Sequence, residues 1–359
     1  MNSIKGLTLD ELAERFRAAG DPAYRAKQVI EWLYDKRVRD FAAMTNLPAA
    51  LRERLAGEFA DRPLELVRTV GSADATRKFL FRLHDGQLIE TVLIPASPAL
   101  YGGASDRRTL CVSSQVGCAY GCQFCASGLD GWKRNLDAGE IVDQLLQVEA
   151  ISGERVNNLV FMGMGEPFAN YDNLLRAIGI LNAPWGPGIG ARHVTVSTSG
   201  LVPQIRALAD QPLQLRLAVS LHGATDEVRD RIMPVNRKYP LAELLDACGY
   251  FCERKKQKIT FEFILIAGVN DSTDQAVALS RIVRRLNAKV NVIPYNSVEG
   301  LDWVRPADEV CEEFVDVLHA AKVSATLRRE KGHDIAAACG QLRLQTEREK
   351  PVAEAAAVA

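Results

Sequence analysis

The stretch Cys111-Val112-Ser113-Ser114-Gln115-Val116-Gly117-Cys118-Ala119-Tyr120-Gly121-Cys122-Gln123-Phe124-Cys125 carries four of the chain's eight cysteines. The last three have the spacing C-x3-C-x2-C, which brings three thiolates to one metal centre. An iron–sulfur cube held by three cysteines keeps one iron free of protein ligands, open to a substrate or cofactor. The rival reading is a structural zinc site with Cys111 as fourth ligand. Zinc sites usually pair two short C-x2-C knuckles, and this spacing fits them poorly. The apolar run before the window reads as a strand that delivers its loop to a barrel mouth.

Working outward, strands and helices alternate from about 107 to 328. Apolar, β-branched runs predict strands at 108–114, 156–162, 192–197, 213–220, 258–266, 289–295 and 323–328. Amphipathic helices fit at 137–151, 172–182, 201–209, 240–254, 272–286 and 307–321. About six such units predict an α/β fold, a partial (β/α)6 TIM-type barrel with its active site at the strand C-terminal ends. The cluster loop, Gly163-Met164-Gly165-Glu166-Pro167, Ser197-Thr198-Ser199-Gly200, Ser220-Leu221-His222 and Pro294-Tyr295-Asn296 all fall there. Upstream, helical spacing over 8–60 predicts a small helical domain, and 63–95 reads as strands around the turn His84-Asp85-Gly86-Gln87. The expected divisions are 1–62 (helical accessory domain, to which the resemblance named below adds RNA binding), 63–103 (β element and linker), 104–328 (barrel) and 329–359. The Ala-rich tail Ala353–Ala359 is expected to be disordered.

Hydrophobic content of 47% and charged content of 25% are those of a globular protein with room for a large core. No run of eighteen apolar residues suggests a membrane span, and the N-terminus lacks the h-region of a signal peptide. Eight cysteines in a chain of this cytoplasmic character favour metal or redox chemistry over a disulfide framework. A net charge of −1 argues against nucleic-acid binding by the whole surface. Residues 322–350 still carry seven Lys and Arg against four Asp and Glu. That stretch could touch phosphates, or form a solvated helix face of mixed charge.

Each motif has a structural reading beside its functional one. Gly163-Met164-Gly165-Glu166 follows a strand, where glycines let the backbone approach a ligand and Glu166 offers a carboxylate to an ammonium group. A tight turn alone would look the same. Ser197-Thr198-Ser199-Gly200 could cap a helix or bind cofactor oxygens. Ser220, His222 and Asn296 read similarly. Cys339, bracketed by Gly332 and Gly340, suggests a shaped loop, although small buried cysteines are common. Cys248, Cys252 and Cys311 read as helix-face residues.

Taken together, the motifs resemble the RlmN/Cfr family of radical-SAM RNA adenine methyltransferases over nearly the whole chain. The resemblance rests on Arg25-Ala26-Lys27-Gln28, Glu31-Trp32-Leu33-Tyr34 and Met44-Thr45-Asn46-Leu47 in the helical domain, and then on Ile89-Glu90-Thr91-Val92. It continues through the cysteine window, Phe161-Met162-Gly163-Met164-Gly165-Glu166-Pro167, Val196-Ser197-Thr198-Ser199-Gly200, Ser220-Leu221-His222, Ile293-Pro294-Tyr295-Asn296 and Ala338-Cys339-Gly340-Gln341-Leu342. A longer segment at Tyr101–Arg108, and His333 where a small or acidic residue is expected, depart from the pattern.

The resemblance implies a [4Fe-4S] cluster on Cys118, Cys122 and Cys125. It also implies two S-adenosylmethionine molecules per turnover, bound by Gly165, Glu166, Ser197, Ser220, Leu221, His222 and Asn296. Cys339 would carry the methyl group, Glu90 would act as general base, and Cys111 would release the product through a transient disulfide with Cys339. Read from residues alone, Glu90 is equally a solvent-facing strand residue and Cys111 a buried strand cysteine. The implied substrate is adenine C2 of 23S rRNA, with tRNA a further candidate. The enzyme is expected to be a cytoplasmic monomer with an external electron donor such as flavodoxin. Rivals are C8 methylation in the Cfr branch and a non-catalytic, metal-stabilised RNA-binding module.

Overall fold

The computed structural model describes residues 3–38, 40–59, 64–72, 75–96, 105–328 and 340–356. Three helices open the chain: α1 (Leu9–Ala18), α2 (Tyr24–Tyr34) and α3 (Ala49–Glu58). The first starts on a capping box, in which Thr8 accepts from the Glu11 amide and the Glu11 carboxylate accepts from that of Thr8. Their apolar faces, including Leu12, Phe16, Val29, Leu33 and Leu55, are buried and continuous with the main core.

β1 (Glu65–Gly71), β2 (Arg77–Arg82) and β3 (Leu88–Pro95) form an antiparallel meander. It is joined to the rest: β3 pairs antiparallel with β4 (Arg108–Cys111), Val92 opposite Cys111. A small hairpin, β5 (Gln115–Gly117) and β6 (Trp132–Asn135), follows. The repeating units then begin: α4 (Ala138–Ser152), β7 (Asn158–Phe161), α5 (Tyr171–Asn182), β8 (Val194–Thr198), α6 (Val202–Asp210), β9 (Arg216–Ser220), α7 (Asp226–Ile232) and α8 (Leu241–Lys255). They continue with β10 (Thr260–Leu265), α9 (Thr273–Leu286), β11 (Lys289–Pro294), α10 (Asp308–Ala320) and β12 (Ser324–Leu327), and α11 (Gln341–Ala356) ends the chain.

The sheet runs in chain order, β1-β2-β3-β4-β7-β8-β9-β10-β11-β12, and every pair from β4 onward is parallel. Sequential parallel strands with intervening helices make the partial (β/α)6 barrel that the apolar pattern predicts. Phe161, Val196, Phe261, Phe263, Val290 and Val292 are fully buried on these strands, because helices and barrel interior cover both faces.

Two features differ from expectation. Helix α11 extends to Ala356, where a disordered tail was expected from Ala353. Alanine is the best helix former, and the run Ala353-Glu354-Ala355-Ala356 extends a helix already nucleated. Residues 357–359 lie outside the described residues. The basic C-terminal stretch is also partly committed inside the protein. Arg343 is buried and pairs with Asp130 at 3.0 Å and Glu347 at 2.7 Å, and Arg348 pairs with Glu299 at 2.7 Å.

Asp143 on α4 joins the N-terminal region to the barrel. Its carboxylate accepts from Lys5 Nζ at 2.8 Å and from the Leu64 amide at 2.9 Å, all within the core. Asp143→Ala therefore takes the carboxylate from a buried ion pair. Urea denaturation should show a loss of about 3 kcal/mol. A loss under about 1 kcal/mol would mean that the N-terminal helices are not tied to the barrel this way.

Candidate active site

A cavity of about 420 Å³ opens at the C-terminal ends of the parallel strands. Its walls include Cys111, Cys118, Cys122 and Cys125, with Gly165, Glu166, Ser197, Ser220, His222 and Asn296. Every loop expected at the barrel mouth contributes. Leu221 is fully buried in the core and is not among the cavity-lining residues; neither is Glu90. Cys339 and His333 lie outside the described residues, as do residues 101–104.

The cysteine loop hangs between β4 and the β5–β6 hairpin. Gly117, at φ +71°, closes the hairpin, and a Cβ there would stand 1.9 Å from the Gly131 carbonyl oxygen, so only glycine fits. The Cys118 amide donates to the Gly131 carbonyl at 3.2 Å, and the Trp303 indole N–H donates to the Gln123 carbonyl at 2.8 Å. Burial pushes the Cys118 thiol up to about 12 and raises Cys122 well above the ordinary thiol value, and the neighbouring Cys125 adds to both. Thiols this buried need a cation beside them to ionise, which a bound metal centre supplies. No three His, Cys, Asp or Glu side chains among the described residues gather closely enough to hold a single metal ion. A cube asks for wider spacing, since its thiolates bind irons at different corners.

Glycines in the β7 loop also serve the protein's own packing. A Cβ on Gly163 would meet Ser113 Oγ at 2.7 Å, and one on Gly165 would meet Gln115 Cβ at 2.5 Å. They let this turn approach the root of the cysteine loop, rather than only a ligand. The contact is hydrogen-bonded throughout. Met164 N–H donates to Ser113 Oγ at 2.9 Å, Ser114 N–H to the Met164 carbonyl at 2.9 Å, and Glu166 N–H to Gln115 Oε1 at 2.8 Å. Glu166 is consequently fixed beside the cysteines. Its carboxylate accepts from the Ser199 amide at 2.7 Å and the Phe168 amide at 3.0 Å. Burial raises its pKa, and these bonds pull it back.

Arg229 was not singled out in the sequence, because an arginine on a short charged helix reads as surface. It is fully buried. Its guanidinium donates to the Ser199 carbonyl at 3.2 Å, the Ser220 carbonyl at 3.1 Å, the Leu221 carbonyl, and Asn236 Oδ1 at 2.9 Å. It thereby pins the ends of β8 and β9. Beside it, His222 adopts φ +53° and meets Phe124 of the cysteine loop edge to face, with ring centroids 4.9 Å apart. His222 Nδ1 accepts from the Ile264 amide at 3.1 Å. Burial, with the Arg229 charge, lowers its pKa to about 3, so the ring is neutral.

Glu90 is buried on β3 and is the anchor of α11. Its carboxylate accepts from Lys78 Nζ at 3.0 Å, the Gly340 amide at 2.8 Å and the Arg343 amide at 2.7 Å. It is therefore not the solvent-facing residue that strand alternation allows. Ser127 Oγ and Glu262 Oε2 are buried on the cavity wall with no hydrogen-bond partner among the described residues. A mainly apolar cavity with a few unmatched polar atoms suits an organic cofactor with polar groups.

A partial barrel that delivers three cysteines and a Gly-Glu turn to one cavity defines a radical-SAM enzyme. The radical SAM superfamily model matches residues 112–279. The ribosomal RNA large subunit methyltransferase N-terminal domain model matches residues 2–60. The probable dual-specificity RNA methyltransferase RlmN of Akkermansia muciniphila is 55% identical over 97% of both chains. RlmN 3 of Opitutus terrae is 57% identical, covering 98% of this chain and 97% of its own. The crystal structure of a radical SAM methyltransferase from Sphaerobacter thermophilus superposes with a TM-score of 0.89 at 46% identity, over 95% of this chain and 99% of that one. The chain belongs to the RlmN family of radical-SAM methyltransferases. It is thus an enzyme that uses a [4Fe-4S] cluster and S-adenosylmethionine, which replaces the reading as a non-catalytic module. No helix among the described residues is long and apolar enough to cross a membrane.

The neutral His222 gives a signed pH dependence. Its folded pKa is depressed, so between pH 6.5 and about 3 the unfolded chain binds a proton that the folded one refuses. Its contribution is full above pH 6.5 and is lost on acidification, at up to about 1.4 kcal/mol per pH unit. Asparagine tolerates positive φ, so His222→Asn should flatten this part of the stability-versus-pH curve. Equal slopes for wild type and variant would show that His222 titrates normally.

Proposed function

We propose that the protein methylates adenine C2 in 23S rRNA, and also in tRNA, through a methyl group carried on Cys339. The observation that supports it best is the meeting, in one cavity, of the three-cysteine loop, Glu166 and Cys111. Gly340, bonded directly to Cys339, packs on Ser127 of the cavity wall, where a Cβ would stand 2.9 Å from the Ser127 amide nitrogen. The relatives' names concern RNA methylation of dual specificity, and the match over residues 2–60 favours C2 over the C8 chemistry of the Cfr branch.

Cys118, Cys122 and Cys125 would hold the cluster, leaving one iron for the cofactor. Glu166 would take the cofactor's ammonium group, with Gly165, Ser197, Ser220, His222 and Asn296 around the remainder and Leu221 contributing backbone. When bound, cluster and S-adenosylmethionine supply a carbon radical able to remove hydrogen from a methyl group. Two cofactor molecules are needed per turnover, one as methyl donor to the Cys339 thiolate and one as radical source. An electron-poor C2 accepts a carbon radical where it would not attack a sulfonium methyl, so the methyl must first sit on Cys339. Glu90 would take the C2 proton. Its carboxylate accepts three hydrogen bonds, two on Oε2 and one on Oε1, so a lone pair on Oε1 would take the proton. Cys111 would attack Cys339 sulfur to free the product, and an external donor such as flavodoxin would supply electrons.

Mass spectrometry of RNA nucleosides tests the reading. Cells expressing the wild-type chain should gain 2-methyladenosine, and those expressing Cys339→Ala should not. Only 8-methyladenosine would place the chain in the other branch, and normal product from Cys339→Ala would remove the carrier role. Cys111→Ala should stall after addition to the base and carry RNA through Cys339. A denaturing gel should show a nuclease-sensitive RNA-linked species, absent from the Cys111→Ala/Cys339→Ala double variant. Normal turnover by Cys111→Ala would return Cys111 to a packing role.

A further inference from the structure

At the end of the barrel opposite the cavity, helices finish and parallel strands begin. Three of these junctions gather cations: Lys256 and Lys258 between α8 and β10, Arg284, Arg285 and Lys289 where α9 passes into β11, and Lys322 between α10 and β12. All six side chains are exposed, and none forms a salt bridge among the described residues. Parallel register sets the junctions side by side, with Thr260 opposite Lys289 and Lys289 opposite Ser324. No Asp or Glu occurs within residues 254–260, 284–289 or 320–324; Glu253 and Asp316 lie just before them. The whole chain has a net charge of −1, so this concentration is local. The same end of the sheet is balanced at β4 and β7. There Glu149 pairs with Arg37 and Arg155, and Glu154 with Arg77 and Arg108.

Cations at helix C-termini have a structural use, because they face the negative end of the helix dipole. Three helix ends together present about −1.5 elementary charges, so the dipoles account for a minority of six cations. Backbone geometry is a separate sign. Lys256 adopts φ +52° and Lys322 φ +59°, each at the left-handed position that ends its helix, where glycine is the usual residue. The Lys322 amide donates to the His319 carbonyl at 2.8 Å and the Val323 amide to that of Leu318 at 3.0 Å, a complete Schellman cap. A side chain there is strained where glycine is not. Two lysines held against that strain indicate a use for their charge outside the fold. The neighbouring Arg254 and Lys255 are committed within it, to Asp210 and to the Leu213 carbonyl.

We propose that this face is a second contact for the RNA substrate, holding phosphates remote from the base that enters the cavity. The inference rests on the proposed function and adds a surface to it. Phosphate is the fitting ligand, because none of the exposed large hydrophobic side chains among the described residues lies in the three junctions. Unpaired bases, by contrast, are held by stacking on aromatic rings. β10 is six residues long, so the face lies about 20 Å from the cavity mouth, a distance that a folded RNA spans. An acidic electron carrier fits poorly, since it must dock near the cysteines at the other end of the strands. Phosphate contacts here would add affinity and fix orientation without reading sequence.

The test measures binding of the anaerobically reconstituted full chain as KCl is raised. The probes are transcripts of 23S rRNA and tRNA, and a short hairpin carrying the target adenine. Two variants are compared with wild type, Lys256→Gly/Lys322→Gly and Arg285→Gln/Lys289→Gln. Glycine relaxes the first pair of positions, so that variant should unfold at higher urea than wild type and separates lost binding from lost fold. Each variant removes two charges. Each should bind the long transcripts roughly tenfold more weakly at about 0.1 M salt, with a log–log salt slope shallower by about 1.5. Hairpin binding, iron content and cofactor cleavage should be unchanged. Wild-type affinity and slope in both variants would overturn the assignment. Equal weakening for hairpin and transcripts would also overturn it, as the mark of a general field and not a contact. Phosphatidylglycerol vesicles bound by wild type and not by the variants, with RNA binding intact, would give the face to a membrane surface instead. A wild type that methylates none of the RNAs would overturn the proposed function itself, whereas the other failures leave methylation in place.

Discussion

The site depends on one close approach of backbone to backbone. The turn after β7 lies against residues 113–115 so tightly that a single added carbon at Gly163 or Gly165 would overlap Ser113 or Gln115. That contact fixes the distance between a carboxylate and three thiols on different βα units. Ser113 is its hub, accepting from the Met164 amide while donating to the Glu90 carbonyl at 2.6 Å. Gln144 of α4 braces it, accepting from the Ser113 amide at 2.9 Å and donating to its carbonyl at 2.9 Å. The cysteine loop, the Gly-Glu turn and the strand carrying Glu90 are therefore one hydrogen-bonded unit. Preorganisation of this kind lets cofactor binding proceed without the cost of ordering each loop.

Charge inside the barrel is arranged around the same unit. Arg229 satisfies its buried guanidinium with three carbonyls at the ends of β8 and β9, so its cation is held without a salt bridge to a carboxylate among the described residues. Its positive charge opposes the burial that raises the Cys122 thiol, and adds to the burial that keeps His222 neutral. A fixed cation near the three thiols, with neutral imidazole between strands, gives the cavity a field that does not depend on solvent. At the other side of the cysteine loop, Glu90 pairs with Lys78 in a fully buried position and accepts from the Gly340 and Arg343 amides at the start of α11. The strand that bears Glu90 is thus also the anchor of the segment next to Cys339.

Much of this was legible from residue pattern. Parallel strands covered on both faces read as apolar runs, and each of the seven predicted between 108 and 328 forms, with its paired core a few residues shorter. The C-x3-C-x2-C loop and Gly163-Met164-Gly165-Glu166 were found because their residue types are unusual at strand ends. Two polar residues inside the barrel, Glu262 and Arg229, were not found. Glu262, flanked by Phe261 and Phe263, has the alternation of a strand with one wet face, yet its inner face is the cavity. Arg229 sits in a run of charges that periodicity assigns to solvent, and only its carbonyl partners reveal its burial. The hairpin of β5 and β6 was missed because strands of three and four residues carry no period; the sign was Gly117, whose need for positive φ is a tertiary fact.

The central claim is that the three thiols and Glu166 bring the iron–sulfur cluster and S-adenosylmethionine into direct contact. Pulsed electron–nuclear spectroscopy of the reduced, anaerobically reconstituted protein with cofactor labelled at its amino nitrogen measures that contact. The account predicts hyperfine coupling between the cluster spin and the labelled nitrogen, lost when Cys122 is replaced by Ala. A cluster that forms with full iron content and shows no coupling to bound cofactor would contradict it.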